Sequence, residues 1–318
     1  MVKQSDKFIG IDWGTSRFRV RLVSMSNAKV LEEISSDKGV SILNNQWENS
    51  DKKISRLTFF NQFLAEQLAG WRTHQIESIP IIISGMASSS IGMHEVAYRE
   101  LPFSVQEDTP FFHQFEPNEI LPHTVYILGG IRTTNNVMRG EETLLVGLTP
   151  EELKFSEHIV MPGTHSKHVS INQSVVTGFE TAMTGELFDL LCSHSILKAS
   201  LSVSVFDPSS FLAGVEAAAS GALLSNIFLT RTNQLFQKLT PGQNYHWLSG
   251  LLIGHELEAF SEVNKLTLIA GLNLRPIYEM ALKQINPAIQ IQSLDDSSKL
   301  VEGQIALLTK VAGNQRGR

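Results

Sequence analysis

In residues 18–22 the apolar side chains Phe18, Val20 and Leu22 alternate with Arg19 and Arg21. A period of two predicts a strand with one buried face. Ile9 and Ile11 supply the strand before it. The intervening "DWGTS" predicts a hairpin with a polar tip, and Gly14 is expected to take backbone angles that other residues avoid. Around 55–70, Leu57, Phe60, Phe63, Leu64 and Leu68 recur at helical spacing. "IPIIISGMASSS" (79–90) reads as a buried strand, a glycine and a run of hydroxyls. "TVYILGG" (124–130) repeats that design. A helix is then expected from Asn135 or Asn136, both good caps, through "VMRGEETLLVGL".

"HIVMPGTHSKHVSI" (158–171) is again strand, Gly-Thr turn, strand. Gly14 and Gly163 lie 149 residues apart, so one hairpin design occurs once in each half of the chain. Three helical patterns follow, at 184–197, 210–231 and 246–260. "KLTLIAGLNLRPIYEMALKQ" (265–284) predicts strand, glycine turn and helix, with Asn273 as the cap and Pro276 in the first turn. "AIQIQSL" is a last strand and 297–312 a last helix. The expected domains are 1–150 and 151–318.

Composition narrows the class. The 318 residues suffice for two domains with two cores. Hydrophobic residues are 42% and charged residues 18%, as in an ordinary soluble globular protein. A net charge of −6 without a long basic run argues against a nucleic-acid partner. The single cysteine, Cys192, excludes an internal disulfide and a Cys-based zinc site, and it fits a reducing compartment. "MVKQSDK" has no apolar signal region, and no apolar run is long enough to span a bilayer. A cytoplasmic protein without a membrane partner is expected. In "GHELEAF", no second histidine follows four residues after His255, so a zincin site is excluded and His255 and Glu256 read as helix residues.

A Gly-Thr-Ser turn offers backbone N–H groups and hydroxyls to a phosphate. An aspartate two residues before the glycine suits Mg²⁺, directly or through water. Two such hairpins can grip a triphosphate, and a strand–glycine–helix element near the C-terminus can seat a nucleoside. That order is the plan of actin-like ATPases. The alternative is a pair of tight hairpins with no ligand.

Six stretches make the resemblance specific: "IDWGTSRFRVRLV", "SGMASSSIGMHEVAYRELP", "NVMRGEETLLVG", "VMPGTHSKHV", "TAMTGELFDLLCSHSIL" and "LSGLLIGHEL". In type and order they resemble the 2-dehydro-3-deoxygalactonokinases, bacterial sugar-acid kinases of the actin-like superfamily. The resemblance covers nearly the whole chain. One departure is His168, where an aromatic residue is expected after the lysine.

The resemblance implies an α/β fold of two actin-like (ribonuclease H-like) domains with a nucleotide cleft between them. It implies phosphorylation of the terminal hydroxyl of 2-dehydro-3-deoxy-D-galactonate by ATP with Mg²⁺. Asp12 is the expected metal residue. Gly14, Thr15 and Ser16 are expected at the terminal phosphates. Gly163, Thr164, His165 and Lys167 are expected as the second cradle, and Gly271 and Asn273 at the adenosine. For Lys167 a solvent-facing strand position is the alternative. By analogy with exopolyphosphatases one of Glu141 and Glu142 is the base, with Glu141 preferred. Glu186 is the competitor, or else a dipole partner in a helix capped by Thr184.

A carboxylate substrate calls for a guanidinium. Arg139 is preferred over Arg132. Ser88, Ser89 and Ser90 are expected either at the sugar hydroxyls or as caps of the helix after Gly85. The partner is thus a small sugar acid, and a homodimer is left open. Two rival readings stand beside this one: an exopolyphosphatase-like phosphohydrolase, and a non-catalytic sensor of nucleotide or sugar acid on the same fold.

Overall fold

The structure, a computed structural model, describes residues 6–74, 76 and 78–313. The chain forms two compact units: residues 1–150 with 174–178 and 296–318, and residues 151–173 with 179–295.

The first unit contains β1 (Lys7–Trp13), β2 (Phe18–Ser24), β3 (Val30–Ser36), α1 (Val40–Glu48), α2 (Arg56–Leu68), β4 (Ile81–Gly85), β5 (Arg99–Glu100), β6 (Phe103–Ser104), β7 (Phe112–Phe115), β8 (Val125–Leu128), β9 (Ile131–Arg132), β10 (Val137–Met138) and α3 (Glu141–Val146). Its main sheet has the order β3-β2-β1-β4-β8-β7. The first three strands form an antiparallel meander, and β4 and β8 then run parallel to β1.

After α4 (Pro150–Leu153) come β11 (His158–Met161), β12 (Ser166–Asn172), β13 (Val175–Ala182), α5 (Thr184–His194), α6 (Pro208–Ala218), α7 (Leu223–Leu235), α8 (Pro241–Leu257), β14 (Lys265–Ile269), α9 (Arg275–Ile285) and β15 (Gln290–Leu294). The order β13-β12-β11-β14-β15 repeats that of the first sheet, with β11 antiparallel to β12 and parallel to β14. The repeated Gly-Thr hairpin is therefore the visible part of a repeated topology. Val175 and Val176, counted with the first unit, pair with Ser104 and Phe103 of β6.

The last helix, α10 (Asp296–Gly313), packs on α3 in the first unit. The second unit thus stops at residue 295, where the sequence analysis ran the second domain to 318. The same helix changes the reading of β2. Arg21, expected on an open face, is buried. Its guanidinium pairs with Glu33 at 2.7 Å, and Nη2 donates to Ser297 Oγ at 2.7 Å. Gln304 Nε2 donates to the Ile11 carbonyl at 3.1 Å. α10 covers the second face of the sheet, so alternation there does not mark solvent.

Five local expectations are corrected. Among the described glycines, positive φ occurs at Gly85, Gly140 and Gly221, and not at Gly14. Residues 131–138 form the β9–β10 hairpin instead of a helix, because Thr133 Oγ1 accepts the N–H groups of both Asn135 and Asn136. Helix α3 starts only after Gly140, whose φ of 113° suits glycine alone. The pattern at 210–231 is two helices separated at Gly221. Leu274, not Asn273, is the N-cap of α9, and Met183, not Thr184, that of α5.

Candidate active site

The β1–β2 hairpin carries the first set of residues. Its tip closes through Gly14 N–H to the Arg17 carbonyl at 2.9 Å. The carbonyls of Gly14 and Thr15 accept the first N–H groups of α1, from Val40 at 3.0 Å and Ser41 at 3.1 Å. Thr15 and Ser16 remain exposed. Beneath the tip, Trp13 stacks edge-on against Phe18 and packs on Phe60 and Phe63, which fixes the strand that presents Asp12.

Asp12 opens into a pocket of about 340 Å³, lined also by Gly14, Arg17, Arg19, Ser36 and Asp37. Its side chain keeps 39% of its surface, so water and ions reach it, and Arg19 Nη1 lies 3.9 Å from it. The surrounding protein still crowds the carboxyl. Burial raises its pKa, Arg19 and Arg21 oppose that shift, and Asp296 and Glu141 add to it. Asp12 is thus within electrostatic reach of carboxylates from α3 and α10. The sequence reading missed Asp296 and Asp37, which carry no motif and reach this hairpin only through tertiary structure.

The two glutamates of α3 part company. Glu142 is fully buried. Its Oε2 accepts the Gly140 N–H at 2.7 Å, and its Oε1 accepts Thr143 Oγ1 at 3.2 Å. Burial, and then the Glu141 charge, push its pKa up to about 8 against these hydrogen bonds. Ser84 accepts Thr143 Oγ1 and Gln304 Nε2, so a buried polar cluster joins β4, α3 and α10. Glu141 is only partly buried, and its Oε2 accepts the Arg139 N–H at 3.0 Å.

The expected sugar-acid residues are largely occupied by protein. Arg139 lays its guanidinium 4.1 Å from the Tyr98 ring centre. Its Nη1 donates to the Ser88 carbonyl and hydroxyl, Nη2 to the Val96 carbonyl and Nε to Tyr98 Oη. Ser88 and Ser89 are buried, and their hydroxyls donate three residues back, to Gly85 and Met86. They fix the turn after Gly85, and Ser90 alone of the three is exposed. Arg132 is exposed and pairs with an exposed Glu100.

In the second unit, the β11–β12 tip holds Gly163, Thr164 and His165. The Gly163 N–H donates to Ser166 Oγ at 3.3 Å. Helix α5 starts against this tip: the Glu186 N–H donates to the Thr164 carbonyl at 3.1 Å, and a Cβ on Gly185 would stand 2.6 Å from the Gly163 carbonyl oxygen. The Glu186 carboxylate bonds His165 Nε2, so Glu186 holds the loop's own histidine. Lys167 is buried and donates to the His165 carbonyl at 2.7 Å, which corrects the solvent-facing alternative.

Below the tip, Tyr278 Oη lies 3.3 Å from Ser166 Oγ and donates to Glu256 Oε2 at 2.8 Å. Glu256 Oε1 meets His168 Nε2 at 3.1 Å. Burial and Glu256 hold the Tyr278 phenol well above its ordinary pKa. Glu256, read from sequence as an ordinary helix residue, is therefore an anchor. The unexpected His168 is its partner. Gly271 lies in the turn before α9, where its carbonyl accepts the N–H groups of Leu274 and Arg275. Asn273 and the apolar Leu272 are exposed there.

Comparison with known proteins gives the family. Residues 12–306 match the family described as 2-keto-3-deoxy-galactonokinase. The chain is 31% identical over 289 residues to the 2-dehydro-3-deoxygalactonokinase of Escherichia coli (strain K12), covering 87% of this chain and 89% of that protein. It is 31% identical over 305 residues to a protein of Rhizobium meliloti (strain 1021) named as a probable 2-dehydro-3-deoxygalactonokinase, covering 91% and 92%. A solved structure of a candidate 2-dehydro-3-deoxygalactonokinase from Sinorhizobium meliloti superposes with a TM-score of 0.82 at 29% identity, over 96% of each chain. The activator of 2-hydroxyisocaproyl-CoA dehydratase from Clostridium difficile shares the fold alone, with a TM-score of 0.51 at 8% identity over 98% of each chain. A match that spans both hairpins and the α3 glutamates, at this identity over most of the chain, shows that the protein belongs to the 2-keto-3-deoxy-galactonokinase family and has the actin-like α/β fold.

Proposed function

We propose that the protein transfers the γ-phosphoryl group of ATP to the terminal hydroxyl of 2-dehydro-3-deoxy-D-galactonate, forming the 6-phosphate in galactonate breakdown. The observation that carries this reading is the family match over residues 12–306, which contains every residue given a role below.

Phosphoryl transfer asks a protein for positioning and charge neutralisation more than for covalent chemistry. The hairpin tips fit the phosphates. Neither Gly14 nor Gly163 is required by the fold. Both lie outside positive φ, and an added Cβ would meet its first protein atom only at 3.5 Å and 3.9 Å. Space left at both tips lets an anion approach the backbone beside Gly14 and Gly163, whose own N–H groups are taken by the Arg17 carbonyl and Ser166 Oγ. Thr15 and Ser16 would meet the terminal phosphates at the first tip, and Gly163, Thr164 and His165 would serve the second. Glu186 orients His165.

The donor set also fits Mg²⁺. Asp12 is an open carboxylate with Glu141 and Asp296 close enough to shift its titration. As placed, no three such side chains form a closed cage among the described residues. Mg²⁺ keeps several waters and takes one or two carboxylates plus substrate phosphates, so Asp12 suffices as its protein contact. When bound, the ion neutralises phosphate charge.

Glu141 is the base in this reading, because Glu142 has no exposed surface with which to meet a substrate. Of the two arginines, Arg132 becomes the better carboxylate clamp. Its exposed pair with Glu100 is of the weak kind an incoming acid can displace, whereas Arg139 is held at four acceptors. Gly271 and Asn273, with the apolar Leu272, serve the adenosine.

The test is coupled ADP release over a panel of sugar acids with Mg²⁺ present. Turnover is expected with 2-dehydro-3-deoxy-D-galactonate above all others. ADP formation that needs no sugar acid would instead assign a phosphohydrolase, and absence of any turnover on the panel would overturn the reading.

A further inference from the structure

We propose that the second unit pairs with a second copy of this chain, through helix α7 and the 201–206 segment beside it. This proposal does not rest on the reaction assigned above.

Helix α7 carries apolar side chains on two adjacent faces, about 100° apart. Leu223 and Ile227 pack inward against Trp247, Leu248 and Leu251 of α8. One residue on in each case, Leu224 and Phe228 point outward, and Leu224 is 85% exposed. Leu235 and Phe236 continue the exposed apolar surface at the C-terminal end. Positions 224, 228 and 235 fall on one side of a helix of 3.6 residues per turn.

The neighbouring loop adds to this surface. Val203 and Val205 are 82% and 91% exposed. The loop is fastened to α7 just before them. Ser200 Oγ donates to Gln234 Oε1 at 2.8 Å, Arg231 Nη1 donates to Ser200 Oγ at 3.2 Å, and Gln234 Nε2 donates to the Ala199 carbonyl at 3.3 Å. Asn244 of α8 clamps the same two elements through the Ser200 and Thr230 carbonyls.

Charge and area point to the occupant. Across residues 201–238 the charged side chains are Asp207, Glu216, Arg231 and Lys238, and Lys238 Nζ sits over the Phe236 ring at 5.8 Å. Asp207 is spent as the α6 cap, and Arg231 is turned onto Ser200 and Gln234. The outward side chains named above expose, by their fractional values, on the order of 800 Å², which is what each partner of a standard stable interface buries. A partner of another kind would be selected by complementary charge, of which this face offers almost none. An uncharged apolar face is complementary to itself, and homodimer interfaces are the apolar class.

The experiment is sedimentation velocity of the full chain from about 1 to 100 µM, with hydrogen exchange at both ends of that range. A dimer is expected, with residues 201–236 more protected at high concentration. Phe228→Glu and Leu224→Glu place a carboxylate against its own copy and should weaken association by about a hundredfold or more. Both sites are solvent-facing, so the melting curve of the monomer should be kept. Where a variant melts early, the concentration-dependent protection of the unaltered chain decides alone. A monomer at 100 µM would overturn the proposal. So would a dimer that both substitutions leave intact, or protection that rises elsewhere and not in 201–236.

Discussion

Glu142 Oε2 lies 2.7 Å from the backbone nitrogen of Gly140, and the Glu142 side chain itself has no exposed surface. The bond is local: the carboxylate caps the turn that launches its own helix. It also has a cost. The charged form is held by two backbone N–H groups, its own and that of Gly140, and by the Thr143 hydroxyl, and burial outweighs all three.

The consequence is a pH dependence of stability. The folded pKa is about 8, against 4.5 in the ordinary state. The folded state therefore binds the extra proton, and stability is fully present below about 4.5 and declines as pH rises through about 8. The slope is about 1.4 kcal/mol per pH unit for a full proton. Urea unfolding of the unaltered chain should show falling stability between pH 5 and 8. Glu142→Gln should remove that part of the fall and equal or exceed the parent at pH 8. Parallel profiles for the two proteins would show that Glu142 titrates normally.

Glu141 and Glu142 are expected to separate in kinetics as well. Glu141→Gln should lower kcat by about 10²–10⁴, the usual worth of a general base, with KM for ATP within about threefold. Glu142→Gln should keep most of its turnover. Glu186→Gln should act chiefly on nucleotide affinity, since Glu186 holds His165. A dead Glu186→Gln beside an active Glu141→Gln would move the base to α5.

How much of this was legible in the chain depends on the range of each contact. Both hairpins could be read because their signal is local: alternating Phe18, Val20 and Leu22, and a Gly-Thr turn between strands. The burial of Arg21 could not, because its cover is Ser297, 276 residues away. Separations as long hide Asp296 from Asp12 and Gln304 from Ile11, the latter 293 residues apart. The β9–β10 hairpin was misread as helix because Asn135 and Asn136 are equally good in turns and caps, and Thr133 decided between them. Ser88 and Arg139 were each read for polarity. Their partners turned out to be one another, a pairing that spacing along the chain cannot show.

Arg139 should behave as a structural residue. Its guanidinium bonds Ser88, Val96 and Tyr98 from a half-buried position. Removing it leaves buried acceptors unpaired, at about 1–3 kcal/mol for each such group. Arg139→Ala should therefore lower stability by roughly 2–4 kcal/mol. Arg139→Lys should recover little, because an ammonium cannot reproduce a planar fork stacked on Tyr98. Chemical denaturation measures this. If Arg139→Ala is as stable as the parent but loses preference for the acid over its amide analogue, Arg139 is the carboxylate clamp after all. The same acid-over-amide loss is expected instead for Arg132→Ala, with stability unchanged.

The glycines of the two tips give the most direct test of the phosphate reading. At many glycines of this chain a methyl group would strike backbone, as at Gly185. At Gly14 and Gly163 it would not, and the backbone there is accessible to alanine. Gly14→Ala and Gly163→Ala should thus fold normally. The loss of unfolded-chain freedom should even stabilise each by about 0.4–1 kcal/mol. If the tips are simple hairpin turns, catalysis should follow stability and remain intact. If phosphate oxygens approach the backbone there, the added methyl stands in their path, and KM for ATP should rise about tenfold or more, with little change in KM for the sugar acid. Thermal melting and steady-state kinetics on the same preparations separate the two cases. Unchanged kinetics in both variants would remove the tips from the nucleotide site, while a raised KM in one alone would assign the phosphates to that hairpin.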